Sequence, residues 1–154
     1  MFSNLLIIFG AKYLLWVLVG LVLVWFLRQP KEKKKRVLFL GAVAFPLIYA
    51  VAKLIAIFYY NPRPFVVDTF TPLIPHEPDN GFPSDHTLLS AAMAAVIYPF
   101  SKKVSAISWI TAILLGTSRV LAGIHHPIDI AGSIVIAILM GLIIFQILFR
   151  KFNT

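Results

Sequence analysis

The sequence predicts an all-α protein that is embedded in a membrane as a helical bundle, and its composition and apolar pattern both support this. Hydrophobic residues make up 60% of the 154 residues and charged residues only 13%, with a mean hydropathy of +0.89. A soluble domain carries roughly 25% charged residues. The apolar residues are also gathered into five stretches separated by short polar segments. The length suits one domain, so we treat residues 1–154 as a single unit.

The five apolar stretches run, in order, over Ser3–Leu27, Val37–Tyr60, Thr87–Phe100, Val104–Thr117 and Ile128–Phe149. The first, second and fifth reach the roughly 20 residues that a helix needs to cross the hydrocarbon core. The third and fourth are shorter, and we expect their helices to extend into the polar residues beside them. About five transmembrane helices follow, or six helical elements if an interfacial helix precedes them. The first stretch lacks the basic n-region and cleavage site of a signal peptide, so we expect it to be a membrane helix.

The basic residues indicate the orientation of the bundle. Ten of the 14 lie in three places: six between the first two stretches, two between the third and fourth, and two after the fifth. With five spans these places share one side, which the positive-inside rule makes cytoplasmic, with the N-terminus outside. The formal net charge of +8 therefore reflects topology in a cell membrane and contact with the lipid bilayer, and we expect no nucleic-acid partner.

Three polar clusters interrupt the apolar chain, and all of them fall on the predicted outer face. They are Asn61-Pro62-Arg63-Pro64, then Pro83-Ser84-Asp85-His86, then Ser118-Arg119 with His125 and Asp129. Ionisable residues at the rims of membrane helices are costly and usually functional. Their convergence on one membrane face predicts a single site. Because the chain has no cysteine, that site has no thiolate chemistry available.

The third cluster contains a candidate nucleophile. Pro127 suits the first turn of a helix, which puts Asp129 in that same turn near the positive end of the helix dipole. His125 lies four residues before Asp129. A carboxylate that accepts from one ring nitrogen fixes the tautomer and leaves the other nitrogen free to attack an electrophile. A capping aspartate beside an interfacial histidine is the open alternative.

The second cluster contains a candidate proton donor. Ser84 follows Pro83 and is suited to cap the third helix, whose N-terminal N–H groups favour a phosphate. His86, in the first turn of that helix, can give a proton to a leaving oxygen. A plain cap with a solvated histidine is the alternative.

Two arginines complete the predicted site. The guanidinium groups of Arg63 and Arg119 suit bidentate binding of phosphate oxygens and stabilise charge on a transferring phosphoryl group. As alternatives, Arg63 would anchor at lipid headgroups and Arg119 would cap helix carbonyls. Finding two arginines, two histidines and an aspartate on one face favours phosphate chemistry.

These residues resemble the motifs of the type-2 phosphatidic acid phosphatase superfamily, a family of membrane lipid phosphatases. The third motif of that family (Ser-Arg, five residues, His, three residues, Asp) is present from Ser118 to Asp129, and the Arg-Pro of the first is Arg63-Pro64. The resemblance covers about residues 50–135. The segment Pro83-Ser84-Asp85-His86, with the earlier Asn-Pro-Arg-Pro-Phe, is most similar to the bacterial branch that dephosphorylates undecaprenyl diphosphate.

Two positions depart from the family pattern. The family lysine would fall at Ala56, whereas the available lysine is Lys53, one helical turn away on a similar face. The glycine of the second motif is replaced by Asp85, which adds negative charge near the phosphate.

The resemblance implies a two-step reaction that needs no metal or other cofactor. His125 would attack phosphorus and become a phosphohistidine, Asp129 would orient its ring, and His86 would protonate the leaving lipid phosphate. The implied phosphate-binding residues are Lys53, Arg63, Ser84, Asp85 and Arg119. The substrate would be a phosphorylated membrane lipid, most simply undecaprenyl diphosphate, with phosphatidylglycerophosphate and the 1-phosphate of lipid A as alternatives.

Two hypotheses from other classes stay open. The first is a metal-dependent hydrolase or metal transporter, with ligands taken from the outer loop and the third cluster, namely His76, Glu77, Asp79 and His126. Their spacing matches no established metal motif. The second is a non-catalytic lipid-binding protein on the same fold.

Overall fold

A computed structural model describes residues 2–150 of the chain, with side chains over residues 3–148. Six helices follow one another: α1 (Phe2–Leu27), α2 (Lys31–Phe58), α3 (Pro64–Val67), α4 (Asp85–Ile97), α5 (Lys102–Leu121) and α6 (Pro127–Arg150). The predicted helical bundle is confirmed. The sixth element is the one-turn α3 after α2, whereas the sequence placed a sixth element before the first span.

Four of the described helices, α1, α2, α5 and α6, are long and apolar enough to cross a membrane. Helix α4 has only 13 residues, about 20 Å, whereas the hydrocarbon core is about 30 Å thick. The predicted third helix is therefore shorter than a full span. It begins two residues before the predicted Thr87 and ends at Ile97, and it still runs from the end of the bundle that holds His86 to the end where α5 begins at Lys102.

Helix α4 lies at the centre of the bundle. Nine of its 13 residues are buried, and it packs against α2, α5 and α6. Small side chains allow this close approach: Ala91, Ala112 and Ala137 meet in one cluster, and the Ser105 hydroxyl donates to the carbonyl of Ala94 at 2.7 Å. A helix that is covered by other helices does not have to match the thickness of the lipid.

Two helices extend beyond their predicted apolar stretches into polar sequence. Helix α2 begins at Lys31, six residues before Val37, because lysine and glutamate are good helix formers and Lys35 pairs with Glu32 at 2.9 Å. Helix α5 runs to Leu121. The predicted extension of the fourth helix into its flanking motif is confirmed.

The three polar clusters converge at one end of the bundle, as predicted. Arg119 near the end of α5 donates to the carbonyl of Ala11 in α1, and Asn80, just before α4, donates to the carbonyl of Tyr59, which follows α2. The first turn of α4 lies at the level of Gly116, since an added methyl group there would come within 3.2 Å of the Thr87 hydroxyl. Helix α5 continues five residues further, about 7 Å. The start of α4 therefore forms the floor of a recess.

The contact at Gly116 generates a prediction about stability. A Cβ atom at Gly116 would lie 2.5 Å from Cγ2 of Ile130, whereas one at Gly20 would meet nothing within 4 Å. We expect Gly116→Ala to lower the stability by about 1–3 kcal/mol because the centre is overpacked. Gly20→Ala should leave it unchanged or raise it by up to about 1 kcal/mol, since alanine favours the helix. Thermal unfolding of both variants in one detergent, followed by circular dichroism, tests this. Equal shifts in Tm would contradict the packing.

Candidate active site

A tight turn after α5 brings His125 back over the bundle. Gly123 has a positive φ of 77°, and the N–H groups of Gly123 and Ile124 donate to the carbonyls of Val120 and Arg119 at 2.9 and 3.3 Å. These two bonds make a Schellman cap, which favours glycine at this position. Pro127 then begins α6, as predicted, so His125 is held in a short link between two helices.

His125 and Asp129 form the predicted pair. Nδ1 of His125 lies 3.2 Å from Oδ2 of Asp129, and the two residues are 2% and 0% exposed. Asp129 also accepts from the backbone N–H of His126 at 2.8 Å and from Nδ2 of Asn61 at 2.7 Å. Because the carboxylate accepts from Nδ1, the ring carries its hydrogen there and Nε2 presents a lone pair. Asp129 caps the start of α6 through the His126 N–H and holds His125 as well, whereas the burial of the His125 ring does not fit an interfacial histidine.

Both guanidinium groups face the second ring nitrogen of His125. Nη1 of Arg63 and Nη2 of Arg119 each lie 3.4 Å from Nε2. Burial lowers the pKa of His125, and the positive charges of the two arginines lower it further, although Asp129 opposes them. The ring is therefore neutral at neutral pH, which is the nucleophilic form.

Arg63 is fixed within the protein and does not anchor at lipid headgroups. It is 5% exposed, and its Nη1 donates to the carbonyl of Ile124 at 2.7 Å. Its Nε donates to Oδ1 of Asp79 at 2.7 Å. Burial opposes the ionised form of Asp79, but the hydrogen bond and charge of Arg63 hold its pKa below the usual value. Asp79 is thus the fixed counter-ion of Arg63.

Arg119 keeps one donor for a ligand. Its Nη1 donates to the carbonyl of Ala11 at 3.1 Å, so it reaches across to α1 instead of capping its own helix. Its Nε is buried and has no acceptor among the described residues. A buried donor without an acceptor is costly, and a phosphate oxygen is an acceptor that suits it.

The start of α4 lies beside this pair, with Ser84 at the predicted N-cap position. The predicted capping hydrogen bond is absent, however, because the Ser84 side chain accepts from the Thr87 hydroxyl at 3.1 Å and not from a backbone N–H. The Ser133 hydroxyl donates to the carbonyls of both Ser84 and Asp129, which ties α4 to α6. The first-turn N–H groups of α4 are therefore available to an anion. His86 is half-buried there, and within the described chain its ring nitrogens have no hydrogen-bond partner.

Lys53 and Asp85 lie at the rim and pair with each other. Nζ of Lys53 is 3.0 and 3.1 Å from the two carboxylate oxygens of Asp85, and both side chains are about half exposed. The carboxylate of Asp85 therefore neutralises Lys53. Because an ionised carboxylate has no hydrogen to donate, a phosphate contact from Asp85 would have to come from its backbone N–H. Ser84, His86, Arg63, Arg119, His125 and Asp129 form the inner site, and this pair borders it.

Three further residues shape the site, and none of them was assigned a role from the sequence. Asn61 donates to Asp129 as described. The Asn80 side chain accepts from the N–H groups of Asn61 and Phe82 and donates to the carbonyl of Tyr59, all at 3.0 Å. An added Cβ at Gly81 would lie 3.0 Å from Oδ2 of Asp129. The Asn80-Gly81 dipeptide, a typical turn signal, was the available clue.

The residues proposed for a metal site do not come together. Asp79 pairs with Arg63, and the ring of His126 lies 3.2 Å from the carbonyl of Pro62. Over residues 2–150, no group of three His, Cys, Asp or Glu side chains has a metal-binding arrangement. The metal hypothesis built on His76, Glu77, Asp79 and His126 therefore lacks its ligand cluster.

Comparison with known proteins agrees with this geometry. The sequence profile of the PAP2 superfamily matches residues 37–153, which is most of the chain and includes all three polar clusters. The chain belongs to the PAP2 superfamily. It is accordingly a multi-pass membrane lipid phosphatase.

Two relatives and two solved structures are similar over nearly the whole chain. The undecaprenyl-diphosphatase BcrC of Bacillus subtilis is 33% identical over 92% of this chain and 72% of its own length. The bacitracin transport permease protein BcrC of Bacillus licheniformis is 32% identical over 92% and 70%. The crystal structure of Aquifex aeolicus LpxE superposes with a TM-score of 0.64 at 27% identity, covering 94% and 84%. A PAP2-type phosphatidylglycerolphosphate phosphatase from Bacillus subtilis gives 0.56 at 24% identity, covering 92% and 72%, which supports the fold alone.

The environment of His125 predicts the pH dependence of this PAP2 enzyme. Because its pKa is lowered from 6.5, neutral His125 persists as the pH falls, and kcat/KM should drop only below pH 6.5. Arg119→Gln removes a positive charge beside the ring, so the pKa of His125 should rise and the acid limb of the profile should move to higher pH. Lys12→Gln makes the same charge change at an exposed position and should not move it. A pH profile of kcat/KM for the three proteins tests this. An acid limb above pH 6.5 in the wild type would contradict the assignment.

Proposed function

We propose that this PAP2 protein removes the terminal phosphate from undecaprenyl diphosphate and leaves undecaprenyl phosphate in the membrane. The observation that carries the proposal is the position of His125, with Nδ1 held by Asp129 and Nε2 facing both arginines. The 33% identity to a protein named undecaprenyl-diphosphatase supports the choice of lipid. A second named relative, the putative undecaprenyl-diphosphatase YbjG of Escherichia coli, is 27% identical over 94% of this chain.

In the first step, Nε2 of His125 attacks the terminal phosphorus. A P–N bond forms while the bond from phosphorus to the bridging oxygen breaks, and the electron pair stays on that oxygen. Burial and the charge of Arg119 lower the pKa of His86 to about 4, and the negative charge of the bound diphosphate opposes this by favouring the protonated ring. Protonated His86 donates its proton to that oxygen, so that undecaprenyl phosphate leaves. Asp129 balances the positive charge that develops on the His125 ring, as the buried aspartate of a catalytic triad does.

In the second step, water hydrolyses the phosphohistidine. His86, now neutral, takes a proton from the water while the oxygen attacks phosphorus and the P–N bond breaks. Inorganic phosphate leaves and His125 is regenerated. In both steps the phosphoryl oxygens lie against Arg63, Arg119, Ser84 and the N–H groups at the start of α4, with Lys53 at the rim of the site. These fixed positive groups supply the charge stabilisation that phosphoryl transfer needs.

An apolar groove beside the site suits the lipid chain. It has a volume of about 490 Å³, lies between α2 and α4, and is lined by Phe45, Ile48, Leu88 and other apolar residues, with Asp85 at its polar end. The Lys53–Asp85 pair is thus at the boundary between the groove and the phosphate site. A larger apolar cavity of about 600 Å³ lies near Phe26, at the other end of α1, far from the chemistry.

We further propose that the site faces outward in a cell membrane, with the N-terminus outside and the C-terminus in the cytoplasm. The six basic residues of the segment 28–36, which covers the link after α1 and the first turns of α2, lie at the end of the bundle opposite His125, where the positive-inside rule puts the cytoplasm.

Phosphate release from purified protein tests the activity. We expect release from undecaprenyl diphosphate to exceed that from phosphatidylglycerophosphate and lipid A 1-phosphate, to survive EDTA and to be blocked by vanadate. His125→Ala should abolish release and leave no phosphoenzyme. His126→Ala should retain most of the release, because the hydrogen bond of the His126 ring is to the Pro62 carbonyl. Loss on chelation with recovery on Zn²⁺ or Mg²⁺ would favour a metal enzyme. If His126→Ala lost phosphate release and His125→Ala kept it, the nucleophile would be His126 and not His125.

Cysteine accessibility tests the orientation separately from the chemistry. The chain has no cysteine, so Asp68→Cys and Lys35→Cys each introduce a single thiol at an exposed position. An impermeant maleimide added to intact cells should label the cysteine at 68 and not the one at 35, and both should react after permeabilisation. The reverse pattern would overturn the outward-facing site.

A further inference from the structure

The segment between α3 and α4 is anchored over the active site. The N–H of Leu73 donates to the carbonyl of Ala122 at 3.0 Å, and Ile74 is 4% exposed in a cluster with Ala122 and Ile124. These contacts fix the segment beside the turn that carries His125. His76, two residues after Ile74, is held there as well.

The ring of His76 faces the nucleophile. Its centroid is 6.3 Å from that of His125, and the two rings are nearly perpendicular at 74°. Its Nδ1 lies 3.4 Å from the carbonyl of Glu77, an arrangement that is attractive when Nδ1 carries the hydrogen. Nε2 has no hydrogen-bond partner in the part of the chain that the structure describes. The two-step reaction does not use this third histidine.

Two positive charges and one negative charge act on His76. The positive ones are Arg63 and Arg119 and the negative one is Asp79, and the rings of His86 and His125 lie close by. Burial lowers the pKa of His76, and the charge of Arg63 lowers it further, so the ring is neutral at neutral pH. An anion bound against Nε2 would favour a proton there, and the ring would then become a third cation beside the two arginines.

We infer that His76 binds the second phosphate of a lipid diphosphate, the one bonded to the lipid, and so selects diphosphates over monophosphates. The inference rests on the proposed function and adds a residue to it. A diphosphate carries more negative charge than a monophosphate, whereas the rim charges of Lys53 and Asp85 cancel each other. His76 can bind the additional phosphate because its ring is neutral in the free protein and becomes protonated when the anion binds.

Direct binding separates this role from general support of the site. The probes are methylenediphosphonate, a diphosphate analogue that is not hydrolysed, and inorganic phosphate, each titrated by calorimetry into the detergent-purified full chain. His76→Ala and His76→Gln should each raise the Kd of methylenediphosphonate about tenfold, the loss of one charged hydrogen bond, and change the Kd of phosphate less than twofold. His76→Lys restores a cation and should stay within about threefold of the wild type. Glu77→Gln, the exposed neighbour, is the matched control and should change neither value.

Equal weakening of both probes in His76→Gln would show that His76 only supports the site and would overturn the inference, as would no change in either probe. The activity assay reports on the proposed function independently. If the wild-type protein failed to hydrolyse undecaprenyl diphosphate while His76 still discriminated the two probes, the choice of lipid would be wrong and the role of His76 would stand.

Discussion

The geometry of the site depends on the buried carboxylate of Asp129. It is fully shielded from water, and an ionised group in such a place is costly unless hydrogen bonds satisfy it. Its partners are Asn61 after α2, the backbone of His126 and the ring of His125. Satisfying one carboxylate therefore joins the end of α2, the link before α6 and the first turn of α6. Removing any partner would leave a charge that is only partly compensated.

The length of α4 determines where the chemistry lies. Because the helix has only 13 residues and is covered by its neighbours, its first turn is below the end of α5 and its N–H groups point into a recess. The bonds of Ser133 to the carbonyls of Ser84 and Asp129 hold that floor against α6. A longer α4 would bring Ser84 and His86 to the surface and separate them from His125.

The positive charges of the site differ in how they are balanced. Arg63 has Asp79 as its counter-ion and Lys53 has Asp85, and both carboxylates are largely exposed. Arg119 has no carboxylate partner within the described chain: it contacts the carbonyl of Ala11 and Nε2 of His125, and its Nε has no acceptor there. Exposed ion pairs contribute little to stability, so a phosphate can compete with Asp85 for Lys53 at small cost. Arg63 is buried and keeps Asp79 as its counter-ion, and Arg119 provides attraction for the anion.

The sequence by itself determined the membrane bundle, the shared face of the three polar clusters and the pairing of His125 with Asp129. These follow from local rules: apolar length, basic flanks, a proline-led first turn and a four-residue spacing. It did not determine the short α4, the missing cap at Ser84, the Lys53–Asp85 pair or the position of His76. Each of those depends on contacts between residues far apart in the chain, such as Leu73 with Ala122 and Lys53 with Asp85. Only the tertiary structure decides them, because packing between helices, and not local propensity, sets which distant groups meet.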